Sequence, residues 1–191
     1  MCIRDSYMAE TEVSLDAWLR GGGEEPDLPG WHGGREHPVV EIDWDQAATW
    51  CADSGLELPS EAQWEWAAVG PAERTWPWGE LWHGGELTNS GSGGDGGVHT
   101  APAGSLPGDR SWCGILDLAG NVSEWCADLY SPDYSWVEEG QLEPLSLEGR
   151  SGAYVERGGA FDDEDPTSST FRFGYSPTGT ASLGFRPVLR P

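Results

Sequence analysis

Asp117, Asn121 and Glu124 crowd around Gly120 in the stretch Cys113-Gly-Ile-Leu-Asp-Leu-Ala-Gly-Asn-Val-Ser-Glu-Trp125. The two carboxylates are hard oxygen ligands. A Gly-Asn corner lets the backbone fold back so that carbonyls face inward. Calcium takes a set of this kind, about six to eight oxygens from carboxylates and backbone carbonyls. Ile115, Leu116, Leu118, Val122 and Trp125 are apolar enough to seat the turn in a core. A plain turn, with Asn121 left-handed and Glu124 opening the next segment, uses the same residues. Residue types alone leave both readings open.

A second candidate cation loop runs from Leu87 to Pro102. Its glycines free the backbone to wrap, and Asn89 and Asp95 offer side-chain oxygens. A flexible Gly/Ser loop is the alternative. The acidic run Asp162–Asp165 would suit a divalent cation, a basic partner or simple solvation. Glu61 and Glu65 are a weak catalytic pair, because acid and base must differ in pKa. His32 and His37 lack a third ligand and read as surface or capping residues. Cys2, Cys51, Cys113 and Cys126 form no CxxC, which argues against a zinc cluster. There is no P-loop and no G-x-S-x-G motif.

The elements that must hold these residues are short. Ser14 is placed to cap a helix in Glu12–Arg20. A strand is expected through Val39–Ile42. Asp43 then caps a helix from Trp44 to about Ser54, with Trp44, Ala47, Ala48 and Cys51 as its buried stripe. Ser60 and Gln63 form a capping box for a helix that buries Trp64, Ala67 and Ala68 and ends at Gly70. Trp76-Pro-Trp-Gly79 marks a tight turn. Ser131–Gly152 reads as an acidic insertion. Tyr154–Phe161 reads as a strand entering a glycine bend, and Phe171–Phe173 and Leu183–Leu189 as closing strands.

The chain length of 191 residues suits one domain. With 28 Gly and 14 Pro, loops should outweigh long regular elements. Twelve Trp can fill a core and line a groove. The net charge of −23 argues against nucleic acid, which needs a basic face. No apolar run is long enough to span a membrane, and no signal peptide is visible. Residues 1–6 differ in character from the adjoining chain and read as a non-native leader, leaving one domain over residues 7–191.

Gly114-Ile-Leu-Asp-Leu-Ala-Gly-Asn-Val-Ser-Glu-Trp125 resembles the G-L-x-D-M-x-G-N-V-W-E-W signature of the formylglycine-generating enzyme (sulfatase-modifying factor) family. Glu12-Val-Ser, His37-Pro-Val, Leu58-Pro-Ser-Glu-Ala-Gln-Trp64, Trp76-Pro-Trp-Gly79, Arg157-Gly-Gly and Gly184-Phe-Arg186 match further family motifs in order. The resemblance implies an α+β domain of C-type-lectin-like type, loop-rich and organised by calcium. The family stretch that precedes Glu12, with a pattern like G-x-F-x-M-G, is absent, so the first strands are expected to be missing. For calcium the resemblance carries over Asp117 and Glu124 as side-chain ligands, with carbonyls of Gly120 and Val122. At a second site it carries over Asn89 and Asp95, with carbonyls of Ser90 and Gly97.

The family oxidises a substrate cysteine with copper(I) held by a C-x-x-x-x-C pair shortly after R-G-G. Soft thiolates are what copper(I) selects. The corresponding span here, Asp162–Ser176, contains no cysteine, and Ser169 or Thr170 stands near one thiol position. Copper is therefore not expected, and no catalytic residue is assigned. Pro187 replaces the cysteine of the closing G-F-R-C, which leaves Cys51 as a buried free thiol. The expected role is a calcium-stabilised binding or accessory domain that presents a groove to a peptide, protein or small molecule. An oxidoreductase acting on a sulfatase cysteine, or another oxidation with a fused partner domain, is the rival reading. The lectin signatures E-P-N and W-N-D do not occur.

Overall fold

The computed structural model describes residues 2–3, 6–82, 88–89, 99–134, 137, 144–146, 152–163, 168–175 and 177–190. Three short helices start from side-chain caps. Ser14, Asp43 and Ser60 sit in extended backbone and accept from Ala17, Gln46 and Gln63, opening α1 (Leu15–Arg20), α2 (Trp44–Asp53) and α3 (Glu61–Val69). Gln46 and Gln63 return the bond to the backbone of Asp43 and Ser60, so both predicted caps are complete capping boxes. Gly70 ends α3 at φ 63°, and a Cβ there would lie 2.4 Å from the Trp112 ring.

The strands form two sheets. β1 (Cys2–Ile3), β2 (Ser6–Met8) and β7 (Val188–Leu189) make an antiparallel trio in the order β1-β2-β7. β3 (Ser123–Leu129), β4 (Tyr154–Arg157), β5 (Arg172–Tyr175) and β6 (Leu183–Gly184) form the second sheet, ordered β5-β4-β3-β6, with only β3–β6 parallel.

Strand alternation divides the core. Trp125 joins a cluster with Val13, Trp18, Ala47, Cys51 and Phe185, which includes the buried faces of α1 and α2. Its neighbour Cys126 joins Met8, Trp64, Ala67, Ile115 and Val155, on the α3 side. The second sheet is thus covered on both faces, and the class is α+β as expected.

Val39, Val40 and Ile42 are fully buried, but the expected strand there is an irregular segment. Val39 N–H donates to Val13 and Glu41 N–H to Thr180, two different stretches of chain, so no single neighbour can build a ladder. Glu41 also takes φ 59°, which breaks extended geometry. The Trp76–Gly79 turn is closed by reciprocal backbone hydrogen bonds. Among the described residues no helix is long and apolar enough to cross a membrane.

Candidate functional site

The Asp117–Glu124 stretch leads directly into β3. Asp117 and Asn121 both take left-handed backbone, φ 61° and 66°. Gly120 is required by close approach, since a Cβ there would stand 2.4 Å from Thr88 Oγ1 and 2.5 Å from the Asn89 carbonyl oxygen. Asn121 ties the turn to four other segments, one of them through its carbonyl, which accepts from Phe161 N–H. Its N–H donates to the Asn89 carbonyl, and its Oδ1 accepts from Ala101 N–H and the Asn89 amide. Its Nδ2 donates to Glu12 Oε1 at 3.1 Å.

Behind the turn lies a buried charge cluster. Arg186 and Glu124 are both completely buried and pair at 2.6 and 2.7 Å through both carboxylate oxygens. Trp64 Nε1 adds a third donor to Glu124 at 2.7 Å. Arg186 spends its other donors on the carbonyls of Ala9, Glu10 and Leu116. Asp117 Oδ2 accepts from Gly104 N–H at 2.5 Å. Glu12 and Asp109 are buried beside this pair. The Glu12 and Asp117 carboxyls lie close enough to share a proton, and Glu12 Oε2 has no other donor. The Ala119 amide points towards Asp109, yet neither Asp109 oxygen reaches ordinary hydrogen-bond geometry. Burial first, and the Asp117 charge second, hold the Glu12 and Asp109 carboxyls well above the usual carboxylate range.

The cluster thus sets four carboxyls against one guanidinium, which bears on a calcium ion. Asp117 has accepting capacity left, and Glu12 and Asp109 carry oxygens without donors. The Glu124 side chain already receives three donors, and a cation on it would sit beside Arg186. The donor set therefore suits a hard cation on the Asp117 side of the cluster better than at Glu124. Among the described residues, no group of three or more His, Cys, Asp or Glu side chains is arranged to hold a metal. At the second expected site, Asn89 is buried and joins Asn121 at 3.2 Å, and its amide also donates to the His99 carbonyl. Ser90, Asp95 and Gly97 lie outside the described residues.

A second ion network was not legible in the motifs. Glu61, at the start of α3, takes Arg157 at 3.0 Å and Arg172 at 2.6 and 2.5 Å, with Tyr134 at 3.1 Å. Arg157 reaches Glu65 at 2.6 Å and lies over the Trp64 ring. Glu61 and Glu65 are held by cations that clamp α3 to β4 and β5, which is a structural task. Cys51 and Cys126 are buried free thiols in opposite clusters, while the free Cys113 is half-buried. Burial pushes the Cys51 thiol up to about 12 and Cys126 well above its ordinary value. Copper-binding thiolates are costly to form at either position.

A cavity of about 420 Å³ opens beside β4, walled by Glu156, Asp162, Asp163, Phe173, Thr180 and Ser182 among others. Asp162, Asp163 and Phe173 belong to the span Asp162–Ser176, which contains no cysteine. Glu156 was not singled out by any motif. Its only sequence signal is its alternation with Val155 in β4.

Comparison with known proteins places the chain. The family model for the sulfatase-modifying factor enzyme 1-like domain matches residues 4–191. A formylglycine-generating enzyme of Streptomyces coelicolor is 32% identical over 186 residues, covering 88% of this chain and 57% of the relative. The inactive C-alpha-formylglycine-generating enzyme 2 of Mus musculus is 33% identical, covering 79% of this chain and 48% of the relative. This chain therefore spans about half the length of such relatives. The structure of PvdO from Pseudomonas aeruginosa superposes with TM-score 0.81 at 21% identity, over 96% of this chain and 80% of that one. Treponema denticola variable protein 1 gives 0.78 at 24% identity, over 97% and 84%. At these identities the structural matches speak for the fold alone, the loop-rich C-type-lectin-like variant.

Proposed function

This chain belongs to the sulfatase-modifying factor enzyme 1-like family, and we propose that within it the chain is a divergent, non-copper member, a calcium-stabilised domain that binds a peptide, protein or small ligand. The observation that carries the reading is the pairing of an intact scaffold with a missing thiol pair. The capped helices and the Gly120–Asn121 corner are all in place, while Asp162–Ser176 contains no cysteine. The described thiols lie elsewhere, and two of them are deeply buried. The inactive relative in mouse supports the idea that the family scaffold is kept without its chemistry.

Calcium would be held by Asp117 with the carbonyls of Gly120 and Val122, and its charge would offset the carboxyl excess around Arg186. Asn89, with Asp95 and the carbonyls of Ser90 and Gly97, is the second set proposed. What calcium supplies is loop order.

The test measures calcium and copper in the purified protein, together with turnover of a C-x-P-x-R peptide. Calcium without copper, and no turnover, is the expected result. Conversion of the peptide cysteine to formylglycine would overturn the reading in favour of the oxidoreductase.

A further inference from the structure

Glu156 occupies an unusual position. In β4 it pairs in register with Trp125 of β3 and Phe173 of β5, so these three share one face of the sheet. Its neighbours Val155 and Arg157 turn to the other face, where Arg157 meets Glu61. Glu156 is 6% exposed, and its Oε1 has no hydrogen-bond partner. A buried carboxyl oxygen without a donor costs free energy, which a bound donor would recover. The same side chain lines the 420 Å³ cavity.

The walls narrow the chemistry. Among the described residues the lining carries three carboxyls, Glu156, Asp162 and Asp163, and no Lys, Arg or His, which disfavours an anion. Asp163 is already turned to the Ala160 amide at 2.8 Å, and Asp162 is exposed, so among the described residues Glu156 is the deeply placed carboxyl. One free carboxyl oxygen is a poor cage for a divalent metal, which wants about six oxygens or more. The space is of a size that takes an organic molecule. Phe173, directly across from Glu156 and packed edge-to-face against Phe171, adds an aromatic wall, and Ser123, Thr180 and Ser182 add polar lining.

We propose that this cavity binds a small organic cation, an alkylammonium group, with the Glu156 carboxylate as its counter-ion and Phe173 beside its methylenes. This rests on the reading of the chain as a binding domain and names its ligand class. Burial pushes the Glu156 carboxyl up to about 8, so binding an ammonium near neutral pH expels the carboxyl proton. Among the described residues, Asp162 and Asp163 are the other titratable groups on the cavity. Glu124, Arg157 and Arg172 are paired in register with one another and face away from it.

The experiment is titration calorimetry on the full chain with n-butylammonium chloride, 1-butanol and calcium chloride at pH 6.5, 7.5 and 8.5. Butylammonium is expected to bind with proton release. Its affinity should rise about ten-fold per pH unit up to about pH 8, as the competent ionised form grows. Glu156→Gln keeps the shape and should lose about 10-fold or more in affinity, with thermal unfolding showing that the variant is folded. Asp162→Asn should change affinity little. Equal binding of 1-butanol, wild-type affinity in Glu156→Gln, displacement of butylammonium by calcium, or no butylammonium binding by folded protein would each overturn the assignment. Peptide turnover measured on the same sample separates the two readings. Turnover with ammonium binding intact sinks the non-catalytic role and leaves the site, whereas no turnover and no ammonium binding sinks the site alone.

Discussion

Replacing Arg186 with methionine removes the cation at the centre of the buried charge cluster while keeping most of the side-chain volume. In the wild type both partners of the Arg186–Glu124 pair are fully buried, and the guanidinium reaches two carboxylate oxygens and three backbone carbonyls. The variant leaves Glu124 in the core with only the Trp64 N–H, beside Glu12, Asp109 and Asp117. Breaking a buried ion pair by deleting one member costs about 3–5 kcal/mol. At about 2–4 °C per kcal/mol for a domain of this size, the melting temperature should fall by roughly 6–20 °C. The assays are urea denaturation and thermal unfolding, both followed by tryptophan fluorescence at fixed calcium concentration. Adding Glu124→Gln to the variant should cost less than it does in the wild type, with a coupling of about 2 kcal/mol or more. A loss below about 1 kcal/mol for Arg186→Met, or strictly additive effects, would refute the view that this pair ties the core together.

Gly120→Ala forces a Cβ to within 2.4 Å of Thr88 Oγ1 at φ 151°, and should destabilise by about 1–3 kcal/mol in the same denaturation assay. Ser60→Ala removes the α3 cap in a buried setting and should cost about 1–2 kcal/mol by thermal unfolding. Because burial raises the folded Glu156 carboxyl from 4.5 to about 8, the wild type should lose stability as pH rises through that window. Glu156→Gln should remove that loss, up to about 1.4 kcal/mol per pH unit, so equal pH slopes in the two proteins would contradict the burial argument. Chelation by EGTA should lower the melting temperature of the wild type, and Asp117→Ala should shrink the difference to the share held by the Asn89 set; a melting curve indifferent to chelator would remove calcium from the account.

Local chemistry along the chain was enough to determine the helices and their ends. Ser14, Asp43 and Ser60 cap where side chains bond to amides three residues on, and such bonds need nothing from the rest of the fold. The turns at Trp76–Gly79 and Gly120–Asn121 were legible for the same reason, and the ordered motifs were legible as a family. The surroundings of Asp117 and Glu124 were not. Arg186 comes from the far end of the chain, Glu12 and Asp109 from two other segments, and nothing in local spacing announces their meeting. The expected strand at Val39–Ile42 failed because its amides were claimed by Val13 and Thr180, partners that only the packed chain supplies. Glu156 looked like one polar residue in a strand. Its significance arises because both faces of the sheet are covered, so the alternate position that solvent would normally take is closed by Trp125 and Phe173. Sequence by itself determined the family, the caps and the lack of a thiol pair in the Asp162–Ser176 span. Tertiary structure alone decided which carboxyls are buried together and which one is left facing a cavity, because desolvation and charge pairing depend on distance in space and not along the chain.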